Sequence, residues 1–317
     1  MPFSRRQLVL GAVGALATTS ACSGGAEPGA APGTGPGGGS APAPQRVVAL
    51  GWGDAETALA LGVQPVGASD WLAFGGEGVG PWAAGLYDAP PQLIGTLEPS
   101  YEAIAALEPD LILDVKSSGD RERYDTLSGI ATTVGVPAGS ENYLTSQQDQ
   151  VTVIAEALGR AEEGQRLLAG IDEAFAAAAA AHPQWEGATF TAASRTTRGW
   201  GAYVAGSERV RFAERLGFVQ NPAVAALPVG ETGFSVQISA EQLEVVDADV
   251  VVVFPIGVPE QEVLADPVLA SVPAAAAGRL LVFERDLAAA YSLSSVLSTR
   301  WALDRVVTRL EGLGDLP

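Results

Sequence analysis

Cysteine, histidine and lysine are almost absent from this chain, since each occurs only once, as Cys22, His182 and Lys116. A single cysteine excludes an intramolecular disulfide and a cysteine-based metal site. A single histidine excludes a metal site of clustered histidines, and a Ser-His-Asp triad would have to use His182, at the end of an alanine-rich helical pattern. No Gly-x-Ser-x-Gly nucleophile motif occurs either. We therefore expect neither an enzyme nor a protein-bound cofactor.

Positive charge is also scarce. The formal net charge is −19 with His182 neutral, and every positively charged residue except Lys116 is an arginine. Nucleic acid is therefore not an expected partner, because phosphate binding requires a basic face. Arginine holds carboxylates and other oxyanions with a planar fork of donors, so the few arginines are candidates for contacting an anionic ligand.

Long apolar runs are missing too, apart from a short one near the N-terminus. Residues 8–21 are apolar or small, too short for a stable membrane span, and follow Arg5 and Arg6. The paired arginines resemble a twin-arginine export signal, and the small residues before Cys22 resemble a lipobox. We predict a signal peptide at 1–21 and lipidation of Cys22, so that the protein is anchored to the outer face of the cytoplasmic membrane by lipid alone. The alternative is a plain secretory signal with an incidental cysteine.

Composition and periodicity divide the rest of the chain. Residues 22–45 are rich in Gly, Pro, Ala and Ser, which predicts a disordered linker. From residue 46, short apolar segments alternate with helical patterns, which predicts mostly parallel sheets. We expect an N-terminal α/β lobe at 46–160, one long helix at 161–183, and a C-terminal α/β lobe at 184–317 that repeats the order of the first. The fold class is thus α/β, with two similar lobes joined by a single long helix and a ligand cleft between them.

Several motifs follow one another in a fixed order after residue 45. They are RVVAL at 46–50, ALGVQPVG at 60–67, PSYEAIAALEPDLI at 99–112, ISAEQL at 238–243, DAD at 247–249 and the segment 294–303. Together they resemble the iron-siderophore and cobalamin substrate-binding lipoproteins of ABC importers, the family whose lobes are joined by one long helix. The resemblance implies a stiff, monomeric, two-lobed protein that captures a bulky ligand between its lobes and delivers it to an ABC permease.

Aromatic residues in glycine-rich segments are candidates for lining the cleft, because such segments are poor places for core side chains. Those of the N-terminal half are expected in loops after strands, and those of the C-terminal half in loops of the second lobe. The candidates are Trp52, Trp71, Phe74, Trp82, Trp200, Tyr203, Phe234 and Tyr291.

Three arginines are candidates for pairing with an anionic chelate. Arg195 and Arg198 follow a predicted strand of the C-terminal lobe, and Arg285 follows another, and ligands of open α/β sheets meet the loops at the carboxyl ends of strands. The arginines of the helix beginning near Glu208, including Arg209, are instead expected on a solvated face.

Glu102 and Glu241 occupy equivalent places in the two halves, each in a short helix before a buried strand. The resemblance implies that these two glutamates dock with arginines of the permease, one per lobe. Stabilisation of a helix start by a carboxylate is the alternative role.

The resemblance implies a ferric siderophore as the transported ligand, with iron bound inside the chelate. Cobalamin or haem remain alternatives, and Tyr203 or Tyr291 would then be possible axial ligands of haem. A sensor that binds the same chelate without transporting it also remains open. The sequence does not determine which siderophore class is bound.

Overall fold

The structure, a computed structural model, describes residues 43–140, 143–230, 233–314 and 316. The predicted signal peptide at 1–21, Cys22, and all but the last three residues of the predicted linker at 22–45 lie outside these residues.

Five short strands of the N-terminal lobe form one fully parallel sheet of order β3-β2-β1-β4-β5. The strands are β1 (Val47–Ala49), β2 (Gly67–Ser69), β3 (Gln92–Ile94), β4 (Leu111–Leu113) and β5 (Thr132–Val134). The helices between and after them are α1 (Asp54–Ala60), α2 (Tyr101–Ala106), α3 (Arg121–Ser128) and α4 (Gln147–Ala157). The central strands β1 and β4 are buried along their whole length, as apolar strands covered on both faces require.

One long helix, α5 (Ala161–Ala181), follows the first lobe, and Pro183 begins a short 3₁₀ turn directly after it. The helix bounds agree with the apolar spacing of Leu167, Leu168, Ile171 and Phe175 in the sequence. Of these, Ile171 and Phe175 are buried in the core of the second lobe. The helix therefore belongs to the packing of that lobe as well as linking the two sheets along the chain.

The second sheet is mixed, with the order β11-β10-β6-β7-β9 and β8 paired with β6. Its strands are β6 (Thr189–Thr196), β7 (Gly199–Tyr203), β8 (Val219–Gln220), β9 (Ser235–Ile238), β10 (Val250–Ile256) and β11 (Leu280–Val282). Strands β6, β8, β10 and β11 are parallel, whereas β7 is antiparallel to both β6 and β9. The predicted α/β fold with two lobes is confirmed, but the expectation of a mostly parallel sheet fits only part of this lobe.

The remaining helices cover the second sheet and close the chain. They are α6 (Glu208–Glu214), α7 (Pro222–Ala225), α8 (Glu260–Leu264), α9 (Pro267–Ala270), α10 (Pro273–Ala276), α11 (Arg285–Leu293) and α12 (Val296–Glu311), with a 3₁₀ helix at Ala240–Val246. The closing helix α12 contacts α1 of the first lobe as well as α5 and α11. In the part of the chain that the structure describes, no helix is both long and apolar enough to span a membrane.

A buried carboxylate joins α1 to the start of α12. Glu56 is only 3% exposed and accepts hydrogen bonds from the indole N–H of Trp82 (2.7 Å) and from the hydroxyl of Ser295, the N-cap residue of α12. Burial raises the pKa of Glu56 to about 7, although these donors and the backbone N–H of Gly80 oppose the shift. Burial likewise raises the pKa of the neighbouring Asp54 to about 6.

These raised pKa values predict that the protein becomes less stable as the pH rises. Between the unfolded and folded pKa values, unfolding releases protons from these carboxyl groups, so raising the pH favours unfolding. For Glu56 alone we expect the free energy of unfolding to fall by about 2 to 3 kcal/mol between pH 5 and pH 8. Urea unfolding at both pH values should show a smaller fall for Glu56→Gln than for wild type. The exposed control Glu122→Gln should keep the wild-type fall, and equal falls for all three proteins would contradict the prediction.

Candidate functional site

A cavity of about 900 Å³ lies between the two lobes. The first lobe contributes residues that follow the carboxyl ends of β1 to β5, and the second contributes residues from the loops and helix starts around β7, β10 and β11. The lining includes the side chains of Trp52, Trp71, Phe74, Leu97, Lys116, Tyr143, Tyr203, Glu208, Arg209, Phe234, Ile256, Arg285 and Ser292. This is the edge at which open parallel sheets bind ligands.

Three aromatic rings form the wall of the first lobe. The ring centroids of Trp52 and Trp71 are 5.8 Å apart, and Tyr143 meets Trp71 edge-on at 5.5 Å. The indole N–H of Trp71 donates to the carbonyl of Leu50 at 2.8 Å, which fixes the ring. Gly51 allows this close loop, because a Cβ there would lie 2.3 Å from the Asp54 carboxylate. The wall therefore presents rigid apolar faces.

The facing wall combines aromatic rings with a guanidinium group. Tyr203 and Phe234 stack with their centroids 6.4 Å apart, and the guanidinium carbon of Arg209 lies 4.3 Å from the Tyr203 ring centroid. The Arg209 Nε–H donates to the hydroxyl of Ser292 at 3.0 Å. The contact with the Tyr203 ring and this hydrogen bond hold the Arg209 guanidinium in place, so that its remaining N–H donors are oriented before a ligand binds.

Direct hydrogen bonds connect the two lobes beside the cavity. The indole N–H of Trp52 donates to the carbonyl of Ser292 at 3.3 Å, and Arg285 donates through Nη2 to the carbonyl of Ala73 at 3.2 Å. The Arg285 guanidinium also lies 6.0 Å from the centroid of Phe74. These links hold the two walls in a defined arrangement, so the cavity is largely preformed.

The structure brings five of the ten predicted ligand contacts to this cavity, as well as Phe74. These five are Trp52, Trp71, Tyr203, Phe234 and Arg285. Tyr203 lies in strand β7 and Arg285 begins helix α11, so neither belongs to a loop. Both still line the cavity, since Tyr203 ends β7 just before the lining segment 206–209 and Arg285 follows the end of β11.

Three other predicted aromatic contacts lie outside the cavity lining. Trp82 packs behind Phe74, with ring centroids 5.6 Å apart, and donates to Glu56. Trp200 is buried within β7, and Tyr291 is buried within α11, so the prediction that both lie in loops is wrong. The hydroxyl of Tyr291 donates to the backbone carbonyl of Arg209 at 3.0 Å and so supports the start of α6.

Two predicted arginines also lie outside the cavity lining, because β6 continues to Thr196 and turns directly into β7. Arg195 is a strand residue whose guanidinium lies 5.4 Å from the Trp200 ring centroid and 3.9 Å from the Asp266 carboxylate. Arg198 is exposed in the two-residue turn of this hairpin.

Several residues that line the cavity were not expected from the sequence. The expectation of a solvated face is wrong for Arg209, and Lys116, Tyr143, Leu97 and Ile256 were not proposed. Leu97 is 71% exposed and Ile256 is 44% exposed, so both present apolar surface at the cavity rim. Their positions near the carboxyl ends of strands were the available signal, since Ile256 ends β10 and Leu97 follows β3 after two intervening residues.

The two predicted docking glutamates are exposed and lie outside the cavity lining. Glu102 lies in the first turn of α2, and Glu241 lies in the first turn of the 3₁₀ helix that precedes β10. The backbone N–H of Glu241 and the hydroxyl of Ser239 lower the pKa of the Glu241 carboxyl.

Comparison with known proteins accounts for this architecture. The family model described as periplasmic binding protein matches residues 47–287. The chain belongs to the periplasmic binding protein family. Members of this family bind solutes, and the matched region contains both sheets and most of the cavity lining.

Individual relatives agree with the family assignment. A periplasmic solute binding protein of known structure from Mycobacterium smegmatis shares 30% identity and a TM-score of 0.72, covering 86% of this chain and 93% of that one. PiaA of Streptococcus pneumoniae, in complex with ferrichrome, shares 26% identity and a TM-score of 0.72, covering 86% and 95%.

A curated relative is the probable siderophore-binding lipoprotein YfiY of Bacillus subtilis, 36% identical over 134 residues. That alignment covers 41% of this chain and 38% of YfiY. The present periplasmic binding protein therefore matches less than two-fifths of the length of YfiY.

Proposed function

We propose that this protein captures a ferric siderophore outside the cytoplasm and delivers it to an ABC importer. The observation that carries the proposal is the cavity of about 900 Å³ between the lobes, with aromatic walls on both sides and a held guanidinium on one. Its volume lies at the upper end of small-molecule sites, which suits a bulky chelate. The relatives named for siderophore binding and for a ferrichrome complex support the same cargo class.

The walls suit a rigid metal chelate. Trp52, Trp71, Tyr203 and Phe234 offer broad apolar contact to the organic part of the ligand, and Arg209 and Arg285 supply donors for its oxygen atoms. Because the cross-lobe hydrogen bonds already hold the walls, binding requires little ordering of the protein, which favours affinity. Iron would enter and leave within the chelate, without a ligand from the protein.

The proposal extends to delivery and location. The protein would act as a monomer held by lipid on Cys22, and Glu102 and Glu241 would contact the two halves of a permease. Cobalamin and haem are the alternative cargoes, and titration with each of them separates them from ferric chelates.

Titration of the purified full-length chain, monitored by tryptophan fluorescence, tests the cargo. Two of the six tryptophans, Trp52 and Trp71, line the cavity, so a bound ferric chelate should quench emission. The probes are ferrichrome and ferric enterobactin, with the iron-free chelates, cobalamin and haem as comparisons after inner-filter correction. We expect saturable quenching by a ferric chelate at submicromolar concentration. A response to cobalamin or haem alone would replace the cargo, and no response to any probe would refute the proposal.

Variants of two arginines test the site itself. Arg209→Met should weaken binding of the recognised chelate about tenfold to hundredfold, since it removes preoriented charged hydrogen bonds. Arg198→Met, which removes the same charge from an exposed turn outside the cavity, should change the dissociation constant less than about twofold. Equal effects of the two variants would place the ligand elsewhere.

A further inference from the structure

The single lysine of the chain lies at the cavity. Lys116 follows β4, and its backbone carbonyl accepts a hydrogen bond from the backbone N–H of Trp52 at 2.8 Å. This bond holds the backbone of Lys116 beside the aromatic wall of the first lobe. The residue is only 3% exposed, yet it belongs to the cavity lining. A lysine side chain is rarely buried without an anionic partner, because removing its charge from water is costly.

Among the described residues, the ammonium of Lys116 donates one hydrogen bond, to the hydroxyl of Ser294 at 3.1 Å. An ammonium has three donors, so two have no acceptor among those residues. Among the residues that the structure describes, no carboxylate oxygen lies within 4.0 Å of Nζ. The carboxylate of Asp54 is occupied by Val115, Gly51 and Gln150, and the carboxylate of Glu208 pairs with Arg211 at 2.7 Å.

We propose that Lys116 contacts the cargo and selects ferric chelates that present an anionic oxygen to its ammonium. This rests on the proposed function, since it assigns a preference to that same cavity. An anionic oxygen would fill the unused donors and offset the cost of the buried charge. A neutral chelate would leave the ammonium buried without a counterion, so the preference comes partly from rejection of the wrong ligand.

Other charged groups act on the ammonium without neutralising it. Burial has the largest effect and lowers the pKa of Lys116. The negative charges of Glu208 and Asp54 raise this pKa, whereas the positive charges of Arg209 and Arg211 lower it further. Arg285, Glu260, Tyr143 and Tyr203 are the further titratable residues of the cavity lining. An anion bound at Nζ should raise the pKa again. The affinity for an anionic chelate should then be greatest below the pKa of the empty protein and should decrease as the pH rises towards the pKa of the loaded protein.

A matched pair of chelates tests the charge preference. N-acetyl- and N-succinyl-ferrioxamine B bind iron through the same hydroxamates, but only the second carries a peripheral carboxylate. Ferric enterobactin is an anionic chelate of a second donor class. In the full-length protein, we expect wild type to bind the anionic member of the pair or ferric enterobactin at least about tenfold more tightly than the neutral chelate. Lys116→Met should remove that preference without weakening the binding of the neutral chelate. Arg166→Met, which removes an exposed positive charge from α5, serves as the control.

The outcomes separate this inference from the proposed function. If wild type binds none of the three chelates, this inference fails, and the proposed function fails with it only if ferrichrome also gives no response. If wild type binds them but Lys116→Met loses affinity for neutral and anionic chelates alike, Lys116 is only structural. A preference for anions that survives in Lys116→Met would overturn the inference while leaving the proposed function intact.

A spectroscopic test uses the uniqueness of this residue. Protein grown with ¹³Cε-labelled lysine should give a lysine signal from Lys116 alone, because the chain has no other lysine. Gallium replaces iron to avoid paramagnetic broadening. We expect the titration of this signal to move to higher pH with the gallium complex of the succinyl chelate or of enterobactin and to remain in place with the acetyl chelate. An identical titration curve with and without a bound anionic chelate would refute direct contact.

Discussion

A Glu102→Ala, Glu241→Ala double variant should lose import of the cargo while binding it as tightly as wild type. Both carboxylates are exposed, and neither lines the cavity, so their removal leaves the binding walls intact. The physical basis is two-point attachment. Each lobe would offer one carboxylate to a permease, and loss of one contact leaves the other to hold the complex.

Bivalency sets the expected magnitudes. We expect each single variant to reduce the import rate about tenfold, because one remaining contact still attaches the protein to the permease. The double variant has neither contact, so we expect its import rate to fall at least about hundredfold. The measurements are uptake of the ⁵⁵Fe-loaded chelate by cells that contain the permease, and the dissociation constant of each purified variant. Immunoblotting of the membrane fraction shows that equal amounts of protein are present.

Matched control residues exist in both lobes. Glu122 is exposed in the first turn of α3, as Glu102 is in α2, and Glu244 is exposed on the same 3₁₀ helix as Glu241. The Glu122→Ala, Glu244→Ala double variant removes the same charge and should import at the wild-type rate. Wild-type import by the Glu102, Glu241 variant would refute docking, and a parallel loss of cargo affinity would make these glutamates structural.

The N-terminal lobe and the long helix were the most predictable parts of the fold. Strand β4 occupies Leu111–Leu113, because an unbroken apolar run between Pro109-Asp110 and a polar segment leaves little choice. Helix α5 begins at Ala161, as predicted, and ends at Ala181, just before the predicted bound of 183, because Pro183 begins a 3₁₀ turn. In both elements, local sequence and tertiary burial agree.

The second lobe departed from prediction where local patterns were ambiguous. Residues 194–203 combine polar side chains, glycine and aromatics, which suggested a loop, yet they form most of the β6–β7 hairpin. Glycine facilitates this close pairing, since a Cβ at Gly201 would lie 2.8 Å from the backbone carbonyl of Val236. The hairpin carries Trp200 into the core and leaves Arg198 exposed at its turn. Whether these residues form a loop or strands is decided by their pairing with β9 and β10, which lie further along the chain.

Site residues were predictable where a loop follows a predicted strand, as with Trp52 and Trp71. Arg209 and Lys116 were not, because a helical arginine and a lone lysine give no local sign of the rings and hydroxyls that hold them. Arg209 depends on Tyr203 and Ser292, and Lys116 depends on Ser294, 178 positions further along the chain. The contacts of Arg209 depend on the packing of α6 against α11, and that of Lys116 depends on the approach of the α11–α12 junction to the first lobe.

Arg123→Met should strongly destabilise the protein. Arg123 is 7% exposed and donates through Nη2 and Nε to the two carboxylate oxygens of Asp114, at 2.7 and 3.0 Å. Removing it leaves a buried carboxylate without its cation, which costs about 3 to 5 kcal/mol. It also removes the hydrogen bonds from Nη1 to the carbonyls of Thr96 (3.3 Å) and Leu97 (3.4 Å), which hold part of the cavity rim. Urea unfolding monitored by circular dichroism measures the first effect, and chelate affinity measures the second.

A second substitution distinguishes an unpaired charge from lost packing. In the Asp114→Asn, Arg123→Met double variant neither side chain of this pair is charged, and the amide oxygen can still accept the hydroxyl of Ser117, which lies 2.8 Å from the carboxylate. We therefore expect it to regain about half or more of the lost stability, because the cost lies mainly in isolating the carboxylate. Arg121→Met is the control, since its salt bridge with Asp125 is exposed and its removal should leave the stability close to that of wild type. If the double variant is as unstable as Arg123→Met, the arginine acts through its stem and through the Thr96–Leu97 carbonyls, and the cavity rim depends on packing more than on charge.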